Sequence, residues 1–270
     1  MTSRRDAILR EMGLAPLWRA RGADASGDAA ITAAPEPAVV AAPPPIEARP
    51  AVQVATPRPA PAAAVPVEAP PPRRAPAGDI ATLDWEALEA RIRECTACEL
   101  CKRRKQAVPG VGDRQADWLF VGEGPGAEED ERGEPFVGQA GRLLDNMLAS
   151  IGLRRGDDVF IGNAVKCRPP NNRTPEPAEL AACFPYLQRQ IELIRPRLIV
   201  ALGRPAAQAL LNQEIKIGAA RGKLFACGAT PVIVTYHPAY LLRNLADKAK
   251  AWEDLCFARA TMARLKAGAG

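Results

Sequence analysis

No stretch of the 270-residue sequence approaches the roughly 18 uninterrupted apolar residues that a membrane span needs. Near the start, Arg4, Arg5, Asp6, Arg10 and Glu11 interrupt the apolar pattern too often for a signal-peptide core. Both absences lead to the expectation of a soluble, cytoplasmic protein without membrane contact. Aromatic residues are scarce, 5% against 47% hydrophobic residues in total, which allows one ordinary core and not several. The net charge of +5 excludes a uniformly basic protein and leaves local basic patches. The glycine-rich string GEGPG has no GK[ST] behind it, so a P-loop is unsupported. Histidine occurs once, at His237.

Proline is abundant and badly distributed. Fourteen of the 27 prolines fall between Pro35 and Pro76, in a segment of Ala, Pro and Val with scattered Arg and Glu. Proline lacks the N–H that helix and sheet ladders require, so residues 23–80 read as an extended, disordered linker. Ahead of it, Ile8, Leu9, Met12 and Leu14 offer an interrupted apolar face, and residues 1–22 read as a short helix that could dock a protein partner. The folded domain is then 81–270.

Within that domain, WLFVG (118–122), VFIGNAV (159–165), LIVALG (198–203) and PVIVTYH (231–237) are continuous apolar runs, as expected of strands buried on both faces of a parallel sheet. Helical patterns separate and follow them, which predicts a three-layer α/β/α sandwich around a central four-stranded parallel sheet. Ligands of open α/β sheets bind beyond the carboxyl ends of the strands. GEGPGAEED, NAVKCRPPNNR, GRP and HPAYLLR stand at those four ends and bring glycine, polar and basic residues to one rim. A lone histidine is a structural residue by default, but His237 stands on that rim beside other polar motifs, which favours a functional role. Lys166, Arg168, Arg173, Arg221 and Lys223 are candidate backbone-phosphate contacts on the same rim.

The chain carries seven cysteines. In a soluble cytosolic protein they point to metal or cluster ligation instead of disulfides. Cys95, Cys98 and Cys101 recur at every third position, and Cys167 and Cys183 bracket a proline-rich loop. Zinc and iron–sulfur both accept four thiolates, so spacing alone leaves the metal open. Cys227 and Cys256 stand apart and read as ordinary thiols.

GEGPGAEEDERGEPFVGQAGRLLDNML, NAVKCRPPNNRTPEPAELAAC and YHPAYLLRN together resemble the family 4 uracil-DNA glycosylases, the iron–sulfur branch of the uracil-DNA glycosylase superfamily. The resemblance spans residues 86–262. It implies a monomeric DNA repair enzyme that flips uracil out of DNA and hydrolyses its N-glycosidic bond to leave an abasic site. It assigns Cys95, Cys98, Cys167 and Cys183 to a 4Fe-4S cluster and leaves Cys101 outside the set. Phe136 matches the residue that stacks on the base, and Asn163 the amide that reads its Watson–Crick edge, where an N3 donor and an O4 acceptor suit one amide. Glu123, Gly124 and Gly126 line the same base pocket.

The resemblance gives His237 the donor to uracil O2, where negative charge develops as the bond breaks. Superfamily members that use an Asp to assist the attacking water have it where this chain has Gly124. That departure leaves water activation to Glu123 and Glu129, with Asp130 behind them. Gly126 stands where other branches place a bulky side chain against thymine. Tyr240, Leu241 and Leu242, with Arg243, are candidates for the DNA contact that fills the gap left by the flipped base. Two other classes stay open on sequence grounds: a DNA-trapping or weakly active superfamily member, and a zinc-bound nucleotide-binding module.

Overall fold

The protein is described by a computed structural model that covers residues 78–268. The expected helix in 1–22 and nearly all of the linker lie outside the described residues. Gly78–Thr82 form a 3-10 turn, and Ile80 within it is buried.

The strands in chain order are β1 (Val111–Gly112), β2 (Trp118–Gly122), β3 (Val159–Asn163), β4 (Leu198–Leu202), β5 (Leu224–Cys227) and β6 (Thr230–Thr235). Their spatial order is β1, β3, β2, β4, β6, β5. The four expected strands, β3, β2, β4 and β6, are parallel neighbours at the centre. Two edge strands were not expected: β1 pairs antiparallel with β3, and β5 with β6. Both are short and only partly buried, so neither carries a periodic apolar signal.

The helices are α1 (Trp85–Glu94), α2 (Ala127–Arg132), α3 (Gln139–Ser150), α4 (Pro177–Ile194), α5 (Arg204–Leu211), α6 (Ile217–Ala220), α7 (Pro238–Arg243) and α8 (Lys248–Ala267). Successive strand residues face opposite sides of a sheet, and the apolar runs therefore supply two cores at once. Trp118, Phe120, Ile161 and Val200 pack with Leu144, Met147 and Leu148 of α3 and Leu255 and Met262 of α8. Leu119, Val121, Ile199 and Val234 pack with Leu187 and Ile191 of α4 and Leu210 and Leu211 of α5. These are the three expected layers. A smaller third cluster joins Leu88 and Ile92 of α1 to Leu100, Val165, Cys167 and Cys183.

Among the described residues no helix is long and apolar enough to cross a membrane. The strand order reverses at β2, since the chain steps from β2 to β3 on one side and then crosses to β4 on the other. A reversal of this kind opens a crevice at the carboxyl ends of the strands.

Candidate active site

A cavity of about 600 Å³ fills that crevice, and every parallel strand contributes to it: Glu123 to Gly126 after β2, Asn163 at the end of β3, Gly203 and Arg204 after β4, Tyr236 and His237 after β6. Parallel register explains the convergence. Gly122 pairs with Asn163, and the ladder runs on past the strands, with Ala164 and Val165 donating their N–H groups to Gly122 and Glu123.

Asn163 is 2% exposed, and its Oδ1 is a buried polar atom with no hydrogen-bond partner among the described residues. Burying an acceptor unpaired costs about 1–3 kcal/mol, so the atom stands ready for an N–H from a ligand. Gly122 makes room beside it. A Cβ at Gly122 would lie 2.5 Å from both Asn163 Oδ1 and Phe136 Cζ, so any larger residue would displace the amide or the ring. Phe136 is itself buried, with its ring centroid 5.5 Å from that of His237 at an interplanar angle of 28°.

His237 caps α7: its Nδ1 accepts the N–H of Ala239 at 3.1 Å. An accepting Nδ1 is unprotonated, which places the proton of the neutral ring on Nε2. Burial, with a smaller contribution from the positive charge of Arg243, lowers the imidazole pKa to about 4. The imidazole is therefore a neutral donor at physiological pH, a choice between charge states that the sequence left open.

This has a measurable consequence. Because His237 is the chain's only histidine, its NMR titration is unambiguous, and a midpoint near pH 4 is expected. In the unfolded chain the same group should titrate at about 6.5. Between these values the unfolded state binds a proton that the folded state refuses, so stability should fall as pH drops from about 6.5 towards about 4. A folded-state midpoint near the ordinary value would refute the buried neutral imidazole.

The two carboxylates differ. Glu129 Oε2 accepts the N–H of Gly126 at 3.0 Å, and Oε1 accepts those of Val137 at 3.0 Å and Gly138 at 3.1 Å. Both its oxygens are committed to holding the loops before α2 and α3. Glu123 is freer. Burial raises its carboxyl pKa, opposed by a hydrogen bond with Thr174 and by the charge of Arg204. Asp130 does not line the cavity. It is buried and accepts the N–H of Lys105 at 2.9 Å, so it acts as a loop anchor.

The expected DNA contacts differ in their surroundings: Leu241 and Lys166 are buried, whereas Tyr240 and Arg173 line the cavity. Leu241 is 1% exposed and belongs to the core beneath α7, because the helix turns it towards the sheet. Tyr240 stacks on Tyr236 and donates its hydroxyl to Asp247 at 2.6 Å, which fixes it in place. Leu242, 38% exposed, faces outward, and so does Leu245 at 64%. Lys166 is 1% exposed, so it does not reach phosphate; its Nζ donates to the Asn163 carbonyl at 2.9 Å and to Gln190 Oε1 at 2.6 Å. Arg221 is spent on Asp254 and Glu253. Arg173 lines the cavity while forking onto Glu179.

Arg204, which sequence reasoning passed over, lines the cavity beside Arg243. Both are exposed, and their charges act on the site, that of Arg204 on Glu123 and that of Arg243 on His237. The signal for Arg204 was the GRP string at the third strand end.

Cys95, Cys98, Cys101, Cys167 and Cys183 line one second, small void together with Lys166 and Tyr186. Arg104 Nη1 donates to Cys167 Sγ at 2.9 Å, and the backbone N–H of Lys166 donates to Cys183 Sγ at 3.2 Å. Burial raises the pKa of Cys98 and Cys167, and pushes that of Cys183 up to about 12. These thiols hold their protons until a metal displaces them. Among the described residues, no three His, Cys, Asp or Glu side chains are placed to hold one metal ion. An all-thiol donor set with N–H groups on sulfur is compatible with an iron–sulfur cluster and also with zinc.

The fold and the cavity define an α/β sandwich with an amide-bearing cavity at its topological switch point. Residues 109–256 match the family model described as "Uracil DNA glycosylase superfamily". A type-4 uracil-DNA glycosylase of Pyrobaculum aerophilum is 47% identical over 181 residues, covering 64% of this chain and 92% of the relative. One from Archaeoglobus fulgidus is 50% identical over 168 residues, 58% of this chain and 84% of the relative. A type-5 uracil-DNA glycosylase of Thermus thermophilus is 38% identical over 157 residues, 46% of this chain and 71% of the relative. The chain belongs to the uracil-DNA glycosylase superfamily, in its type-4 branch.

Proposed function

We propose that the protein is a monofunctional uracil-DNA glycosylase of DNA repair, acting as a monomer in the cytoplasm. The observation that carries this reading is the unpartnered, buried Asn163 Oδ1 opening onto a cavity at the strand ends. An acceptor there suits the N3–H of uracil, and the Nδ2 of the same amide suits O4.

The uracil nucleotide is rotated out of the DNA stack into the cavity. Phe136 stacks on the base and Asn163 reads its edge, while the glycines at 124 and 126 let backbone approach it. As the N1–C1′ bond breaks, its electron pair leaves with the base and charge accumulates on O2. The Nε2–H of neutral His237 donates to that oxygen, and a donor held in place beforehand is worth several kcal/mol in such a site. Water then bonds to C1′ of the cationic sugar. Glu123 takes the water's proton: it lines the cavity, and burial raises its carboxyl pKa, which favours its role as a base. The role of Glu129 is to hold Gly126 and the loop after Phe136 in place. Arg204 and Arg243 supply backbone-phosphate contacts at the cavity mouth, and Leu242, the exposed leucine beside Arg243 in the HPAYLLR motif, is the apolar side chain that enters the gap in the stack.

Cys95, Cys98, Cys167 and Cys183 hold a 4Fe-4S cluster in this reading. It supplies cross-links rather than chemistry, tying the segment after α1 to the loop four residues beyond Asn163. Support comes from the five thiols around one void, Cys167 and Cys183 buried and the other three partly so, and from the resemblance of the motifs; Cys101 is the bystander.

The test is incubation with a duplex bearing one uracil, followed by alkali. Strand cleavage at the uracil, and none at thymine or cytosine in the same strand, is the expected result. An intact strand from well-folded, iron-loaded protein would end the enzymatic reading and favour a protein that only binds DNA.

A further inference from the structure

We infer that Arg155 is a positioning residue for Phe136: its guanidinium holds the aromatic ring in the orientation that receives the base, and so sets the affinity of the cavity for uracil. The inference rests on the proposed stacking role of Phe136.

Phe136 has φ 55°, in the left-handed region, which a bulky aromatic residue adopts only when its surroundings impose it. Arg155 is nineteen residues away, in the turn between α3 and β3. Its Nη1 donates to the Pro135 carbonyl at 2.8 Å and its Nη2 to the Phe136 carbonyl at 2.8 Å, while Nε donates to Asp145 Oδ1 of α3 at 3.0 Å. The planar guanidinium thus spans both peptide units that set the left-handed turn, and its orientation is fixed by a helix of the core.

The same Phe136 carbonyl has no slack towards α3. A Cβ at Gly141 would lie 1.7 Å from the Phe136 carbonyl oxygen, so the peptide is pressed onto α3 where only glycine fits. The ring tip lies against Gly122 beside Asn163, and the ring packs next to His237. A small rotation of the Phe136 peptide would therefore move the stacking face relative to both base-contacting side chains. Without Arg155, the carbonyls of Pro135 and Phe136 lose these donors, and the left-handed turn has less to hold it.

The experiment uses the full-length protein and two readouts: Ki for inhibition by free uracil, and KM and kcat on a uracil-containing oligonucleotide. Arg155→Met is expected to raise Ki and KM about tenfold, with kcat changed by less than about threefold, because it weakens base binding throughout the reaction. Phe136→Ala should raise Ki at least as much. Adding Arg155→Met to Phe136→Ala should change Ki by less than about twofold, since no ring remains to be positioned.

A purely structural role for Arg155 would lower thermal stability and leave Ki per folded molecule unchanged, and that outcome overturns the inference. Fully additive effects in the double variant also overturn it. Should Arg155→Met fail to fold, Arg155→Lys carries the test, because it keeps the cation near Asp145 and reaches at most one carbonyl; wild-type Ki in that variant counts against the inference. If Phe136→Ala itself keeps wild-type Ki, the stacking reading fails, which is distinct from Arg155→Met failing while Phe136→Ala behaves as expected.

Discussion

His237→Ala is expected to lower kcat for uracil excision by about 10²–10³, the usual loss when one donor to a developing anion is removed. KM should move far less, because charge on O2 grows only as the bond breaks. The substitution also removes the Nδ1 acceptor that caps α7, which costs about 1 kcal/mol of stability. His237→Asn separates the two effects. Asparagine is a good N-cap and can accept the Ala239 N–H, but its amide is then turned to the helix end and not towards the base. A stability loss confined to alanine, with a kcat loss shared by both variants, identifies the missing Nε2–H. Either variant within about threefold of wild-type kcat would remove His237 from the mechanism.

The second large effect concerns the thiols. Cys167→Ser should bring iron content from about four per chain to near zero, abolish visible charge-transfer absorption and sharply reduce soluble yield. Cys167 contacts Arg104 and lies four residues beyond Asn163, so its loss should loosen the base-reading strand end as well. Cys101→Ser and Cys256→Ser are the controls and should retain iron. A Cys167→Ser protein that is iron-free, stable and fully active would refute the structural role of a cluster. Retention of iron in Cys167→Ser with its loss in Cys101→Ser would instead exchange the two residues between ligand and bystander.

Much of the architecture was legible because a parallel strand buried on both faces must be apolar at every position. WLFVG, VFIGN and LIVAL advertise themselves for that reason, and the turn residues that follow them mark the rim of the cavity. The edge strands β1 and β5 were not legible, since a short pairing satisfied by one neighbour leaves no periodic pattern. The candidate site was legible to the extent that its residues cluster in strand-end motifs: Glu123, Asn163 and His237 all line the cavity. Leu241 and Lys166 show the limit. Each sits in a motif that reads as DNA-facing, yet a helix turn sends one into the core, and a buried amide and carbonyl capture the other.

The sequence by itself determined the layer order, the four central strands, the group of thiols and the residue types at the rim, because these depend on local pattern and spacing. Only the tertiary structure decided which groups are free to act. It gave Glu129 to three backbone amides and left Glu123 facing the cavity, made His237 a neutral Nε2–H donor, left Asn163 Oδ1 without a partner, and brought Arg155 to Phe136. Protonation state, orphaned acceptors and imposed backbone conformation arise from neighbours distant in the chain, through burial and hydrogen bonds that exist only once the sheet has formed.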